Sequence, residues 1–167
     1  MRKIYSAQIP LPESPVSDLP MLAPPAAFLA ASQSPDALLL DVRDPELRAG
    51  GHLPGALALP YASYVTPRPP AMGGLPDLDT LAHVLGAVGY APERLVLAYD
   101  EGGSGKAARL LWTLAALGHA RMALLDGGLT ALQNETTTLL TRTPTPAVPG
   151  APQLAWADGI VADRDWV

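Results

Sequence analysis

The chain has 167 residues, of which 49% are apolar, and this length is enough to bury the core of one self-sufficient domain. It carries 11 Lys and Arg against 16 Asp and Glu, with no basic run that could follow a phosphate backbone, which argues against a nucleic-acid-binding protein. It contains no cysteine, which excludes disulfides, thiolate metal sites and thiol catalysis by these residues.

The beginning of the sequence does not indicate a targeting or membrane segment. Prolines at positions 10, 12 and 15 interrupt the stretch in which a signal peptide has a continuous apolar segment. No apolar run approaches the roughly 18 residues of a membrane span. We therefore expect a cytoplasmic protein without membrane contact, whose residues 1–21 form a loosely held arm rich in Pro and Ser.

The first half of the chain predicts two helices, one strand and a loop. A short helix over Ala26–Ala31 follows two prolines, and the apolar run Ala37–Val42 is typical of a strand buried on both faces. Three prolines and a Gly pair predict a loop over Tyr64–Gly74. Asp77 is then placed to cap a helix over Leu78–Val88, whose apolar residues recur every three or four positions.

The second half predicts an alternation of strands and helices. The strand Leu95–Tyr99 runs into a glycine-rich turn and a helix over Ala107–Leu117, with Gly118 as its C-terminal cap. A third strand, Met122–Leu125, precedes a short helix that begins near Leu129. Strands that alternate with helices imply right-handed crossovers, so we predict an α/β fold: an open parallel sheet flanked by helices on both faces.

The character of the sequence changes after the predicted domain, which we place at residues 22–141. Residues 142–153 are rich in proline and predict a linker. Residues 154–167 look like the beginning of a second domain, because Ile160–Asp165 is similar to a strand edge that enters a helix cap.

A glycine-rich turn between a buried strand and a helix is the first candidate site, because free amides at a helix N-terminus form an anion cradle. The turn consists of Asp100, Glu101, Gly102, Gly103, Ser104, Gly105 and Lys106. A phosphate-binding loop would need Gly at position 100 and Ser or Thr at position 107, where the chain has Asp and Ala. Asp100 is more simply explained as a cap that accepts bonds from the free amides. With Glu101 it opposes an anionic guest, and no third ligand near in sequence supports a metal.

Two further motifs are explained as structural elements. Asp41 and Arg43 lie at a strand end, where such a pair locks a loop by charge-assisted bonds. His52 comes just before a Pro-Gly pair that ends at Gly55, and it is expected to fix a turn. A catalytic role as a base would require a nucleophile beside it, and no motif in the sequence supplies one. The segment Asp126, Gly127 and Gly128 predicts a strand-to-helix turn that lets the backbone pass close to its neighbours.

Taken in order, these motifs resemble the rhodanese family. Asp41-Val42-Arg43 leading to Gly51–Ala56 resembles its N-terminal signature, the strand Leu95–Tyr99 with its turn resembles the central strand and active loop, and Leu125–Leu129 resembles the closing motif. The likeness extends from Leu22 to Gln133 and implies a rhodanese-like fold. Arg48 stands where the signature usually has an aromatic residue and Leu132 where a Trp is common. Neither departure is expected to threaten the fold, because both positions are peripheral to the strand pattern.

The resemblance also implies what is missing. The family's chemistry uses a Cys at the start of the active loop to carry sulfur as a persulfide, and Asp100 stands at that position. Two-domain sulfurtransferases resemble a duplicated rhodanese whose first half has lost this Cys, often to Asp. The chain thus looks like the non-catalytic half of a thiosulfate or 3-mercaptopyruvate sulfurtransferase, inactive alone and without a cofactor.

The partner implied by this resemblance is a catalytic rhodanese domain, in cis in a parent protein or in trans, and a homodimer stays open. Two other functions remain as alternatives. One is a stand-alone regulatory or binding module that contacts a protein through the turn at residues 100–106. The other is an enzyme that uses Asp100 as nucleophile or base, which would require a metal and further carboxylates. Phosphatases and arsenate reductases of this fold need the missing Cys and are excluded.

Overall fold

The computed structural model of the protein describes residues 19–137 and 140–159. This part of the chain contains seven strands and five helices, besides a turn of 3₁₀-helix at Tyr61–Ser63. In chain order the elements are β1 (Leu22–Ala23), α1 (Pro25–Ser32), β2 (Ala37–Asp41), α2 (Pro45–Ala49), β3 (Leu57–Ala58), β4 (Thr66–Arg68), β5 (Ala71–Gly74), α3 (Leu78–Ala87), β6 (Leu95–Tyr99), α4 (Gly105–Ala116), β7 (Met122–Leu125) and α5 (Gly128–Glu135).

Five of the strands form one parallel sheet in the order β1-β7-β6-β2-β3. The central strand β6 pairs with its neighbour β2, from Leu95 opposite Ala37 to Tyr99 opposite Asp41. Their carboxyl ends therefore lie side by side, and the segments that follow them emerge at the same edge of the sheet. This confirms the predicted open parallel sheet and brings the Asp41 motif next to the glycine-rich turn.

Helices cover both faces of the sheet, as predicted. Alternate strand residues point to opposite layers, because side chains alternate along a strand. Leu38 and Leu40 of β2 pack in a layer with Leu81 of α3 and Leu110 of α4. The intervening Leu39 packs in the other layer, whose helical residues include Phe28 of α1 and Leu129 and Leu132 of α5. Both layers are mainly aliphatic.

The long elements confirm the sequence predictions, and the short ones were missed. Strands β6 and β7 have the predicted bounds, and Asp77 caps α3 by accepting a bond of 2.8 Å from the Thr80 amide. Strands β1 and β3 have two residues each and α2 has five, so none of them is long enough to show a periodicity. Their formation depends on pairing and packing with the rest of the sheet.

The loop predicted over Tyr64–Gly74 was wrong, because the segment contains an antiparallel hairpin. Strands β4 and β5 pair with Thr66 opposite Gly74 and Arg68 opposite Ala71. Pro67 is tolerated between the two pairing residues because both edges of a two-stranded ribbon are open, so its missing N–H leaves no ladder bond unmade. The remaining two prolines lie in the connection between the strands.

Two expectations concern residues at or beyond the limits of the described chain. Of the arm predicted for residues 1–21, the part over 1–18 lies outside the described residues. Within residues 19–21, the Met21 carbonyl accepts a bond of 2.7 Å from the Leu124 amide beside β1. Of residues 154–167, which were assigned to the start of a second domain, the part over 160–167 also lies outside the described residues. Among the described residues no helix combines the length and apolar character needed to cross a bilayer, and the cytoplasmic location stays a prediction.

The proline-rich segment after α5 lies against the domain. The Gly150 amide donates to the Gly86 carbonyl of α3 at 2.9 Å, and the Ala157 amide donates to the Ala116 carbonyl of α4 at 2.8 Å. Leu154 between them packs against the core. Whether residues 142–153 also link this domain to another stays a prediction.

We expect Gly86→Ala to destabilise the domain even though alanine is the better helix former by about 1 kcal/mol. A Cβ atom at Gly86 would lie 2.5 Å from the Gly150 carbonyl oxygen, so the proline-rich segment must move away. Urea unfolding and limited proteolysis of residues 142–153 would measure both effects. Gly105→Ala is the matched control, since a Cβ there meets nothing within 4 Å. A more stable Gly86→Ala variant with an unchanged cleavage pattern would contradict this packing.

Stability is also expected to fall in mild acid because of His119, which is buried between α4 and β7. Its Nε2 lies 2.9 Å from the Arg121 carbonyl and its Nδ1 lies 3.1 Å from the Tyr90 hydroxyl, an arrangement that fits a neutral ring with the proton on Nε2. Burial lowers the pKa of His119 below its ordinary value of 6.5. Its contribution is therefore fully present above pH 6.5 and is lost as pH falls through the lower folded-state pKa.

Urea unfolding at about pH 8 and about pH 5.5 would measure this loss of stability. These two pH values bracket the range in which a histidine ordinarily titrates. In His119→Gln the difference between the two conditions should shrink. His83→Gln is the control, because His83 is exposed on α3 and should leave the difference unchanged. Equal pH dependence in all three proteins would show that His119 does not carry it.

Candidate active loop

Asp100 follows the buried strand β6 and is itself only 3% exposed. Its carboxylate lies within the turn and accepts three backbone amides that precede or begin α4. Oδ1 accepts from Ser104 at 3.2 Å, and Oδ2 accepts from Lys106 at 3.0 Å and from Ala107 at 3.3 Å. The amide cradle expected from the sequence is therefore present, and the side chain of Asp100 fills it.

The beginning of α5 holds this turn in place from outside. The Leu129 amide donates to the Asp100 carbonyl at 2.8 Å, and the Thr130 amide donates to the Glu101 carbonyl at 2.9 Å. Gly128 has a φ of +65°, and a Cβ atom there would lie 2.7 Å from the Gly102 nitrogen. The close approach of two backbones explains why glycine stands at this point. Asp126, at the exposed start of the same turn, donates its amide to the Ala23 carbonyl.

A buried ion network connects the Asp41 motif with the turn. Arg43 binds both oxygens of the Asp41 carboxylate, through Nε at 2.9 Å and Nη2 at 2.8 Å. The third nitrogen of Arg43, Nη1, donates to the Glu101 carboxylate at 3.0 Å. The predicted loop lock is thus present, and it extends to the glycine-rich turn 58 residues further along the chain.

The Asp41 carboxylate receives two further donors on Oδ2. The Tyr99 hydroxyl donates at 2.9 Å and Arg48 Nη1 donates at 2.9 Å. Burial raises the pKa of Asp41, but the bonds from Arg43 outweigh it and hold this pKa below its ordinary value. Burial raises the pKa of Tyr99, so its hydroxyl remains a neutral donor.

Positions 48 and 132 lie in helices α2 and α5, outside the strands as expected, but both side chains are held in the structure. Arg48 is part of the ion network and also donates to the Ala56 carbonyl at 2.8 Å, while Leu132 is fully buried in the core. The single sequence gave no signal for the Arg48 contact, because its partner Asp41 lies seven positions away in a different element.

His52 lies apart from the glycine-rich turn, in a segment that pairs with Thr141, which follows α5 in the chain. Its ring is 4% exposed and its Nδ1 lies 3.0 Å from the Leu53 carbonyl. Its backbone exchanges two bonds of 2.9 Å with Thr141, and Gly55 turns the chain with a φ of +81°. No hydroxyl nucleophile among the described residues is hydrogen-bonded to this imidazole, so its contacts are those of a turn-fixing residue.

The open space beside the turn is small and lined by both acidic and basic side chains. A pocket of about 230 Å³ is bounded by Arg43, Asp100, Glu101, Lys106 and the glycines of the turn. The Lys106 amine is paired with the Asp44 carboxylate at 2.6 Å. In the part of the chain that is described, no group of three or more His, Asp or Glu side chains is placed to hold a metal ion.

These features define a class: a parallel α/β domain whose central strand runs into an amide-lined loop at a helix N-terminus. The sequence model of the Rhodanese-like domain family matches residues 24–135. The chain belongs to this family.

Relatives and solved structures agree with this assignment. The chain is 34% identical to a thiosulfate sulfurtransferase of Azotobacter vinelandii and 32% identical to one of Pseudomonas aeruginosa, in each case over 90% of this chain and 55% of the relative. It therefore spans about half the length of these relatives. Its fold matches a 3-mercaptopyruvate sulfotransferase of Escherichia coli with a TM-score of 0.71 and 22% identity, over 83% of this chain and 56% of that structure.

Proposed function

We propose that the chain is the non-catalytic rhodanese-like domain of a thiosulfate or 3-mercaptopyruvate sulfurtransferase and supports a separate, cysteine-bearing rhodanese domain. The observation that carries this proposal is the Asp100 carboxylate, which fills the amide cradle of the active loop. Asp100 stands at the position that aligns with the family's sulfur-carrying Cys. A carboxylate has no sulfur with which to form a persulfide, and the sequence contains no other thiol.

Electrostatics support the same proposal. An anionic sulfur donor at this loop would meet the carboxylates of Asp100 and Glu101 within a pocket of about 230 Å³. Like charges a few ångströms apart repel, and the repulsion grows where water is excluded. The amides that would stabilise such a donor are already bonded to Asp100, and the two cations of the pocket, Arg43 and Lys106, are already paired with carboxylates. The loop therefore offers the donor little compensation.

The length of the relatives supports a partner domain. The two thiosulfate sulfurtransferases extend well beyond the region that this chain matches, since it covers 55% of each. We infer that the supported domain corresponds to the remainder of such a protein, present in cis in a parent chain or supplied in trans.

Thiosulfate:cyanide sulfurtransferase activity tests the proposal, measured for this chain alone and after mixing with the separately expressed cysteine-bearing half of a homologous enzyme. We expect no turnover by the chain alone and a gain on mixing that saturates near equal concentrations. An equal concentration of an unrelated protein controls for non-specific stabilisation. An absence of turnover in both samples would favour the stand-alone binding module, and turnover by the chain alone would overturn the proposal.

A further inference from the structure

A second pocket, which we call the edge pocket, lies between α2, the edge strand β3 and the beginning of the proline-rich segment. It has a volume of about 330 Å³, at the lower end of the range of about 300–1,000 Å³ for small-molecule sites. Its polar wall consists of Arg43, Arg48, His52 and Arg142. Its apolar wall is built from three prolines and two alanines, so the pocket combines an apolar body with cationic groups.

The charges around the edge pocket leave one positive charge without a counterpart. Arg43 and Arg48 are balanced by Asp41 and Glu101, neither of which lines the pocket. Arg142 is exposed and makes no hydrogen bond or ion pair with any described residue. The lining contains no acidic side chain, so a bound group with a single negative charge would meet no like charge at the wall.

A buried imidazole supplies a second polar feature of the site. His52 is 4% exposed, and the bond between its Nδ1 and the Leu53 carbonyl requires the proton on Nδ1, since a carbonyl only accepts. Nε2 is then left without a hydrogen-bond partner among the described residues. Nε2 is not one of the fully buried side-chain atoms without a partner, so it is open to solvent and offers a hydrogen-bond acceptor at the pocket wall.

From these features we propose that the edge pocket binds a small organic monoanion, a carboxylate on a compact apolar body. Arg142 pairs with the carboxylate, and the prolines and alanines cover the apolar part. The second donor to the carboxylate is Arg48, which uses only two of its five N–H groups within the domain. This site adjoins the active loop, since Arg43 lines both pockets, but it does not depend on the function proposed for that loop.

Benzoate is a suitable probe, with benzyl alcohol and inorganic sulfate as controls that lack the charge and the apolar body respectively. We expect isothermal titration of the full chain to show saturable binding of benzoate, with both controls at least about tenfold weaker, because each loses one class of contact. In NMR titrations the perturbed resonances should be those of residues 45–60 and 142–144. Equal affinity for benzyl alcohol, or perturbations centred on residues 100–106, would overturn the proposal.

Two variants complete the test. Arg142→Gln removes an exposed charge without a partner, so it should fold normally and weaken benzoate about tenfold or more. Arg68→Gln, at an exposed arginine of the hairpin, is the matched control and should bind as the unchanged chain does. Ala58→Phe fills the pocket from the edge strand and should abolish binding. Unchanged affinity in Arg142→Gln or Ala58→Phe would contradict the assignment.

Discussion

Asp41→Asn is expected to lower the free energy of unfolding by about 3–5 kcal/mol, because it leaves the buried Arg43 with only the partly exposed Glu101 and leaves Arg48 without its counter-charge. The Asp41 side chain is fully buried, and Arg43 and Arg48 both depend on it. The amide of asparagine has nearly the same shape, so the loss would come from charge and hydrogen bonding rather than from a cavity. Urea denaturation at neutral pH would measure it.

Asp44→Asn is the matched control for this change. Asp44 is a neighbour in sequence and is also paired, with Lys106, but both side chains of that pair are well exposed. An exposed pair contributes less than about 1 kcal/mol, so the control should unfold almost as the unchanged chain does. Similar losses in the two variants would show that the buried network is not the source of the stability.

The same network predicts a dependence on acid. The pKa of Asp41 is below its ordinary value in the folded chain, so its stabilising contribution is present above the unfolded-state pKa, near 3.8. It is lost as pH falls through the lower folded-state pKa. Asp41→Asn should therefore lose less stability than the unchanged chain between about pH 5 and about pH 2, in the range where aspartates titrate.

Asp100→Ala is expected to lower the free energy of unfolding by about 2–4 kcal/mol, since three buried or half-buried amides would lose a charged acceptor. The amides of Ser104, Lys106 and Ala107 should then exchange their hydrogens faster. Asp100→Asn keeps one acceptor oxygen and should lose about half as much. Hydrogen exchange and urea denaturation would measure both changes.

A rescue experiment distinguishes the loss of the carboxylate from the amide cradle from a general loss of packing in Asp100→Ala. Asp100 borders the pocket of about 230 Å³, so in Asp100→Ala added acetate should enter there and restore part of the stability by taking the place of the carboxylate. Glu101→Gln is the control, because Glu101 is partly exposed and binds Arg43 rather than the amides. An Asp100→Ala variant that is unaltered in stability and indifferent to acetate would show that the carboxylate does not fill an anion site.

The features that sequence reasoning predicted are those set by local patterns. Continuous apolar runs identified β2, β6 and β7, since strands covered on both faces need apolar residues at every position. The same holds for Asp77 as a helix cap, whose partner Thr80 lies three residues away. Asp100 as the acceptor for amides at the start of α4 was also predictable, because its partners lie four to seven residues along the chain.

The features that were missed depend on contacts between distant segments. The hairpin of β4 and β5 was hidden by its prolines, and the two-residue strands β1 and β3 show no periodicity of their own. Arg48 became part of the Asp41 network only because α2 packs beside the end of β2. No spacing in a single sequence distinguishes such an arginine from an exposed one.

The sequence by itself determined the class of fold, the order of the long elements and the absence of cysteine from the chain, because each is a matter of local pattern or of composition. Only the tertiary structure decided that Arg43 binds Asp41 and Glu101 together, and that Arg142 meets Arg48 and His52 at one pocket. These contacts join residues up to about a hundred positions apart in the sequence. The residues meet because neighbouring strands pair in the sheet and because the proline-rich segment after α5 packs against the domain.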